Sequence, residues 1–329
     1  MECLSGTVLV TGGAGFIGSH LTQALLSAGK KVIVVDNFND FYSPSIKRQN
    51  IKAVLNAVSE KQGENFVLLE EDIRTLHPDH LKEYAGSIDT VVHLAAMAGV
   101  RPSLMNPVLY QDVNVVGTQA LLELSRVLKV KKFIFASSSS VYGVNPNVPW
   151  SESDDVLEPI SPYAASKVSG ELQGRVYHHL YGMDFIALRF FTVYGPRQRP
   201  DLAIAKFIDR AFKGEPIEVY GDGTSARDYT FVGDIISGVV AAIERDLHGY
   251  QVINIGNSFP VELRGLIKMV EEATAVSLQL QKKPHQPGDV PRTFADIGKA
   301  KQLLGYNPMT SMEAGIRLQV EWFLKGQRG

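Results

Sequence analysis

Tyr163 and Lys167 lie four positions apart in Tyr163-Ala164-Ala165-Ser166-Lys167. On a helix that spacing puts a phenol and an ammonium on one face. A phenol titrates near ~10, so by itself it is a poor base at neutral pH. A lysine cation beside it and a positively charged cofactor ring beyond it both stabilise the phenolate and lower that value. The pair is then suited to taking a proton from an alcohol. Surface Tyr–Lys pairs with this spacing also arise by chance. What sets this one apart is the run Ser137-Ser138-Ser139-Ser140-Val141-Tyr142-Gly143, in which hydroxyls follow an apolar segment. The plain reading of that run is a polar turn.

A second set of residues suits a dinucleotide. Thr11-Gly12-Gly13-Ala14-Gly15-Phe16-Ile17-Gly18 spaces three glycines at 12, 15 and 18. Gly12 makes a tight turn, Gly15 lets a pyrophosphate approach the backbone, and Gly18 lets a following helix pack closely. The phosphates would sit on that helix's N-terminus, where free N–H groups and the dipole favour anions. Asp36 ends the next apolar run, where an acid meets the adenosine ribose. A carboxylate there accepts from a ribose 2′-hydroxyl and repels a 2′-phosphate, and residue 37 is Asn rather than Arg. NAD is therefore favoured over NADP. The competing reading is a glycine-rich turn that holds nothing.

These groups need elements to place them. Apolar runs at Thr7–Thr11, Lys31–Val35, Phe66–Glu70, Ile88–His93, Lys132–Ser137 and Asp184–Arg189 read as strands buried on both faces. Helical patterns fall at Phe16–Ser27, Pro44–Val58, Pro107–Leu128 and Pro162–Tyr181. The alternation predicts an α/β fold, a Rossmann-type doubly wound parallel sheet with right-handed crossovers. In such sheets ligands bind at the carboxyl ends of strands, where the serine run and the glycine turn both emerge. After Arg189 prolines and glycines break the rhythm. Helices are expected at Ala203–Lys213, Val232–Arg245, Glu262–Thr274, Asp296–Leu304 and Ser311–Lys325, with short strands between. Residues 1–190 are assigned to the NAD-binding domain, with 230–257 returning to it. Residues 191–229 and 258–329 form a smaller mixed α/β substrate-binding lobe.

Composition narrows the function classes. The 329 residues carry 33 basic and 35 acidic side chains, a formal net charge of −2, with 45% hydrophobic residues. That is too apolar for a disordered chain and leaves no electrostatic footprint for nucleic acid or an anionic membrane. Cys3 is the single cysteine, which fits a reducing compartment, and the protein is expected to be cytoplasmic. The N-terminus lacks the basic start of a signal peptide. No apolar run nears the ~20 residues a membrane span needs; the most apolar, Val91–Val100, contains His93. No metal is expected. His178 and His179 are adjacent and point in different directions on a helix, and His77 and His80 have no nearby Cys or acidic ligand set. Lys129-Val130-Lys131-Lys132 reads as a solvated helix end.

With these motifs together, the chain resembles the extended short-chain dehydrogenase/reductase family, in its nucleotide-sugar epimerase/dehydratase branch. Further motifs carry the likeness: His93-Leu94-Ala95-Ala96, Asn114, Arg189-Phe190-Phe191-Thr192-Val193-Tyr194-Gly195-Pro196, Arg227-Asp228-Tyr229 and Pro287-Gly288-Asp289-Val290. The resemblance implies Ser138 as the hydroxyl on the reacting oxygen, Tyr163 as base, and Lys167 as its partner and a nicotinamide-ribose ligand. It implies NAD contacts from Gly12, Gly15, Phe16, Ile17, Gly18, Asp36 and Asn37, from Asp72 and Ile73 at the adenine, and from Leu94, Ala95, Ala96 and Asn114. Arg227 and Asp289 fall where the nucleotide diphosphate and its ribose are held. The helices Pro107–Leu128 and Pro162–Tyr181 resemble the pair that builds a four-helix interface, which implies a homodimer.

Members of this branch oxidise a sugar carbon, usually C4, to a ketone whose fate depends on nearby groups. A 4,6-dehydratase carries Asp-Glu just after the catalytic hydroxyl, and a glucuronate decarboxylase carries Glu at the second of those positions; here they are Ser139 and Ser140. Serine cannot supply that acid–base chemistry near neutral pH, which leaves epimerisation. Asp36–Tyr42, Ala98-Gly99-Val100-Arg101, Thr192–Asp201 and Gln286–Pro291 look most like UDP-glucuronate 4-epimerases. Thr192 is informative because UDP-glucose epimerases usually have Asn there. Arg101, Thr192, Arg199 and the Ser138, Ser139 and Ser140 hydroxyls are expected at the sugar, where several can donate to a C6 carboxylate. Ser43-Pro44-Ser45, Pro162 and Gln286 depart from the commonest pattern, Gln286 standing where many sugar epimerases have an Arg on the diphosphate. A UDP-glucose or UDP-N-acetylglucosamine 4-epimerase, a dehydratase or oxidoreductase, and a silent NAD-binding regulator are the competing readings.

Overall fold

The computed structural model describes residues 6–154, 158–284 and 290–326. Its centre is a seven-stranded sheet built from β1 (Thr7–Thr11), β2 (Val32–Val35), β3 (Phe66–Leu69), β4 (Ile88–His93), β5 (Lys132–Ser138), β6 (Asp184–Phe190) and a late edge strand, Tyr250–Ile255. The spatial order runs β3-β2-β1-β4-β5-β6 and then the late strand, and every pairing is parallel. Alternate residues of each strand feed two different cores. Val8, Val10, Val32, Val34, Ile134, Ile186 and Leu188 pack on one face, and Leu9, Ile33, Val35, Phe133, Phe135 and Phe185 on the other. That two-sided burial is why the strands read as unbroken apolar runs.

The chain order reverses between β1 and β4, and the crevice at that switch point opens at the carboxyl ends of the strands. The remaining strands form two small sheets. The strands β7 (Thr192–Tyr194), β8 (Ile217–Tyr220) and β9 (Ala226–Phe231) precede the edge strand, which is therefore β10; β11 (Pro260–Glu262) and β12 (Leu280–Lys283) follow. A three-stranded sheet has the order β11-β9-β7, and β12 pairs with β8. A third core, with Tyr194, Ile204, Phe207, Leu266, Val270 and Ile316, lies beneath them. Ala295, Ile297, Ala300, Leu304 and Tyr306 instead join the core of the large sheet.

Helix ends follow local chemistry. The Pro162–Tyr181 helix starts on Ser161, whose Oγ accepts from the Ala164 N–H at 3.1 Å, and stops at Gly182 in the left-handed region (φ +67°). The reading of Pro107–Leu128 as one regular helix needs correction. It comprises Pro107–Tyr110, a π-helical stretch Gln111–Val116, and Gly117–Val127. The wide turn carries Asn114 inward, where its amide joins the Met97 backbone to Ser166 Oγ at 2.8–3.0 Å. A strict 3.6-residue pattern cannot register that extra residue. A short helix at Val100–Met105 also went unforeseen. No helix among the described residues is long and apolar enough to cross a membrane.

Candidate active site

One cavity of 470 Å³ follows the carboxyl ends of β1, β4, β5 and β6 and is closed on the far side by Thr192, Val193, Arg199 and Arg227. Its volume suits an extended small molecule. The glycine turn forms one end. Gly12 has φ +68°, and a Cβ there would stand 2.8 Å from the Ala95 nitrogen. A Cβ on Gly18 would lie 2.1 Å from the Gly12 carbonyl oxygen, so close helix packing at that point requires glycine. Gly15 caps the Phe16–Ser27 helix without any side-chain bond, which leaves the first-turn N–H groups to a ligand. The cradle therefore fits a dinucleotide pyrophosphate.

Asp36 is buried at the end of β2. Its Oδ2 accepts from the Ala14 N–H at 3.1 Å and its Oδ1 from the Phe38 N–H at 2.9 Å, while Lys47 stands 4.0 Å away. Burial pushes its carboxyl up against the pull of Lys47 and those amides. Asn37 donates to Asp72 Oδ2 at 2.8 Å. Hydrogen bonds from Arg74 hold the Asp72 carboxyl down at about 2. Phe16, Ile17, Asn37, Asp72, Ile73, Leu94, Ala95 and Ala96 all line the same cavity.

At the other end the β5 strand delivers the serines. Ser138 Oγ accepts from the Ser140 N–H at 3.2 Å and from Ser140 Oγ at 2.7 Å, at the start of the helical turn Ser139–Tyr142. Tyr163 faces Ser138 from the long helix, and Lys167 Nζ donates to the Ala136 carbonyl at 2.7 Å, 5.8 Å from the Tyr163 ring centroid. Ser138, Ser139, Ser140, Tyr163, Lys167, Thr192, Arg199 and Arg227 share the cavity wall. Burial pushes the Lys167 ammonium down to about 7, against the nearby Glu171 charge. The phenol of Tyr163 moves the other way from the sequence expectation. Burial pushes it up, opposed by the Ser138 hydroxyl and the Arg199 charge. The expectation joined the lysine to a positively charged cofactor ring; in the protein alone, desolvation is the largest influence.

Some expected residues lie elsewhere. Asn114 is buried outside the cavity wall, with its amide spent on Met97 and Ser166. Arg101 stands over the Tyr220 ring, 4.7 Å from its centroid, and is likewise outside that wall. Arg199 is already in a bidentate pair with Asp201 at 2.8–3.0 Å and lies 5.0 Å over Phe41. Asp289, and Gln286 beside it, fall outside the described residues, as does Cys3. His93 is a buried support. It joins Thr11 Oγ1 at 2.8 Å to Thr118 Oγ1 at 3.0 Å, and burial pushes its imidazole down to about 3. Tyr42 and Gly99, from segments that carry the resemblance, also line the cavity, as do Lys47 and Trp150, which were not singled out from the sequence. Lys47 carried a legible signal, one helical turn into the segment after Asp36; Trp150 had none.

Residues 9–319 match the family model described as GDP-mannose 4,6 dehydratase. A UDP-glucuronate 4-epimerase of Thermodesulfobacterium geofontis is 42% identical over 319 residues, 96% of each chain. Among solved structures, the Bacillus cereus UDP-glucuronic acid 4-epimerase in complex with UDP-glucuronic acid and NAD aligns with a TM-score of 0.89 at 37% identity, covering 97% of this chain and 99% of that one. The UDP-glucose 4-epimerase of Thermotoga maritima, with UDP-glucose, aligns at 0.87 and 34% identity over 98% and 99% of the two chains. From the glycine turn through the Ser-Tyr-Lys wall to the end of the matched segment, this chain belongs to the GDP-mannose 4,6 dehydratase family, within the nucleotide-sugar branch of the extended short-chain dehydrogenases/reductases.

Proposed function

We propose that the protein is an NAD-dependent UDP-sugar 4-epimerase that interconverts UDP-glucuronate and UDP-galacturonate through a 4-keto sugar. One observation carries the reading: Ser138, Tyr163, Lys167 and Thr192 share a wall on which Ser139 and Ser140 replace the acid and base a dehydratase needs. Bound NAD supplies hydride acceptance from C4 and hydride return. Tyr163 takes the proton of the 4-hydroxyl and later returns it, while the Ser138 hydroxyl steadies the same oxygen. Lys167 bonds the nicotinamide ribose and keeps a cation beside the phenol. The Gly12–Gly18 turn holds the pyrophosphate, Asp36 and Asn37 the adenosine ribose, Asp72 and Ile73 the adenine, and Arg227 the sugar nucleotide's diphosphate.

Oxidation at C4 turns a uronate into a β-keto acid, which loses carbon dioxide when its carboxylate stands perpendicular to the developing enolate. The epimerase must hold the carboxylate out of that alignment while the sugar turns over. Thr192, the serine hydroxyls and Arg199 do this in the proposal, each bond to the charged acceptor contributing ~1.5–3 kcal/mol. Arg199 shares its charge with Asp201, so Thr192 and the serines carry more of the hold.

In the same reading, residues 1–190 with 230–257 form the NAD-binding lobe and 191–229 with 258–329 the sugar-nucleotide lobe. The protein works in the cytoplasm as a homodimer. Val108 (76% exposed), Leu172 (55%) and Leu180 (59%) leave an apolar stripe along the two helices that pair across such an interface.

The test is incubation with UDP-glucuronate, UDP-glucose and UDP-N-acetylglucosamine, without added reductant, with products resolved by NMR. Expected is UDP-galacturonate from UDP-glucuronate, with no UDP-pentose. Tyr163→Phe should keep NAD binding and lose most turnover. Thr192→Val should slow epimerisation and release some UDP-pentose. Efficient turnover of UDP-glucose with none of UDP-glucuronate would overturn the substrate assignment and leave the Ser138–Tyr163–Lys167 chemistry standing.

A further inference from the structure

Glu171 lies one helical turn beyond Lys167 and two beyond Tyr163, and it is 3% exposed. Its Oε1 accepts from Ser137 Oγ at 2.5 Å and from Arg189 Nε at 2.9 Å, and its Oε2 from Arg189 Nη2 at 2.8 Å. Those two partners are register neighbours across β5 and β6. Three successive strand residues are thus tied to one helix at three successive turns. Ala136 receives Lys167, Ser137 reaches Glu171, and Ser138 meets Tyr163. Arg189 extends the arrangement, with its guanidinium 4.7 Å over the Tyr142 ring, and Tyr142 donates to Asn254 Oδ1 on β10 at 2.8 Å.

A buried ion pair is a costly way to hold elements together, because desolvation often exceeds the Coulombic gain and an apolar pair of equal volume does as well. The position of this one suggests its use. The charged and titratable groups around Lys167 are Tyr163 and Glu171 on its own helix, His93 from β4, Arg189 from β6, and Arg199 facing Tyr163 from the far wall. His93 is held neutral by burial, Arg189 and Arg199 are cations, and Glu171 is the carboxylate in that set.

We propose that Glu171 is a positioning residue for the epimerisation: bound to Ser137 and Arg189 one turn beyond Lys167, it places a buried carboxylate beside the lysine and fixes Ser138 against Tyr163 through Ser137. The proposal rests on the reading of Tyr163 and Lys167 as the proton-transfer pair. Burial already pushes Lys167 down to about 7, and the Glu171 charge is the influence opposing it. Removing that charge lowers the lysine further, so the ammonium is lost at lower pH. The limb on which activity falls with rising pH should then move to lower pH by about 1–3 units.

The experiment follows the wild type, Glu171→Gln, and Glu171→Gln combined with Arg189→Met, which removes the orphaned cation. Two quantities are read across pH: turnover, and the Lys167 Cε resonance of ¹³C-lysine-labelled protein, assigned by its loss in Lys167→Met. Expected is NAD affinity within a few-fold of wild type, a lysine titration moved to lower pH in Glu171→Gln and by less in the double variant, where a cation leaves with the anion, and a falling limb that moves with it. An unchanged Lys167 titration overturns the proposal, as does a loss of turnover uniform across pH. Should Glu171→Gln fail to fold, the double variant carries the same measurement. If Lys167→Met itself turns over like wild type, the underlying proton-transfer reading fails; an inactive Lys167→Met with an unmoved limb in Glu171→Gln defeats the positioning role alone.

Discussion

Asp36 has two roles to separate at the residue scale. In the proposed reading it sets the ribose preference; in the structure it accepts from the Ala14 and Phe38 amides. Replacing it by Ala would remove both roles together and confuse the two. Asp36→Asn keeps the shape and one acceptor oxygen but loses the negative charge. It should cut the preference for NAD over NADP by about tenfold and cost about 1–2 kcal/mol of stability through the weakened amide contacts. Calorimetric titration with both dinucleotides, with urea unfolding alongside, measures each part. Undiminished discrimination would mean that selectivity comes from elsewhere, with Asn37 and Asp72 next in line.

Among the elements, the turn from β1 into the Phe16–Ser27 helix is the least tolerant of added volume. A Cβ at position 18 meets the Gly12 carbonyl oxygen at 2.1 Å and the Gly13 Cα at 2.7 Å, both backbone atoms that cannot swing aside. Gly18→Ala should therefore cost about 1–3 kcal/mol in urea unfolding and weaken NAD binding by displacing the helix N-terminus. Gly63→Ala is the matched control, since nothing lies within 4 Å of a Cβ there. A Gly18→Ala protein as stable as the Gly63→Ala one would refute the close-packing argument. The same scale shows how far pattern reading reaches. Strands buried on both faces announce themselves, and β1 and β4 begin and end as their apolar runs do. The π-helical stretch at Gln111–Val116 does not, and Asn114 within it is bonded to Met97 and Ser166 of other elements, which spacing along the chain does not encode.

For the whole molecule, residues around the glycine turn and residues 196–199 meet across the crevice, while Ala295, Ile297, Ala300, Leu304 and Tyr306 pack into the core of the large sheet. His20 Nε2 meets the Pro196 carbonyl oxygen at 2.8 Å, Arg197 Nη2 donates to Gln23 Oε1 at 2.6 Å, and Arg199 covers Phe41. Leu172 and Leu180, exposed on the Pro162–Tyr181 helix, take no part in these contacts and do not line the cavity, so assembly and site can be tested separately. Leu172→Arg with Leu180→Arg should give a monomer in analytical ultracentrifugation while NAD still binds. A dimer of wild-type stability would show that another surface carries the assembly.

What the sequence determined by itself was whatever is encoded locally. Six apolar runs alternate with amphipathic helices, Gly12, Gly15 and Gly18 open the first helix, and Tyr163 and Lys167 share a helix face by spacing alone; the seventh strand of the sheet, β10, was not read from the sequence. The lack of a carboxylate at positions 139 and 140 was also legible, since Ser139 and Ser140 are serines wherever the chain puts them. Tertiary structure decided what depends on distant partners. It buried Lys167 and Tyr163 enough for desolvation to outweigh the Glu171 charge at the lysine, and the Ser138 hydroxyl and Arg199 charge at the phenol. It paired Arg199 with Asp201 and left Arg101 on Tyr220 instead of in the cavity wall. It also brought Glu171, Ser137 and Arg189 into one buried cluster from a helix and two strands. Burial and long-range hydrogen bonds are properties of packing, and spacing along a chain does not encode them.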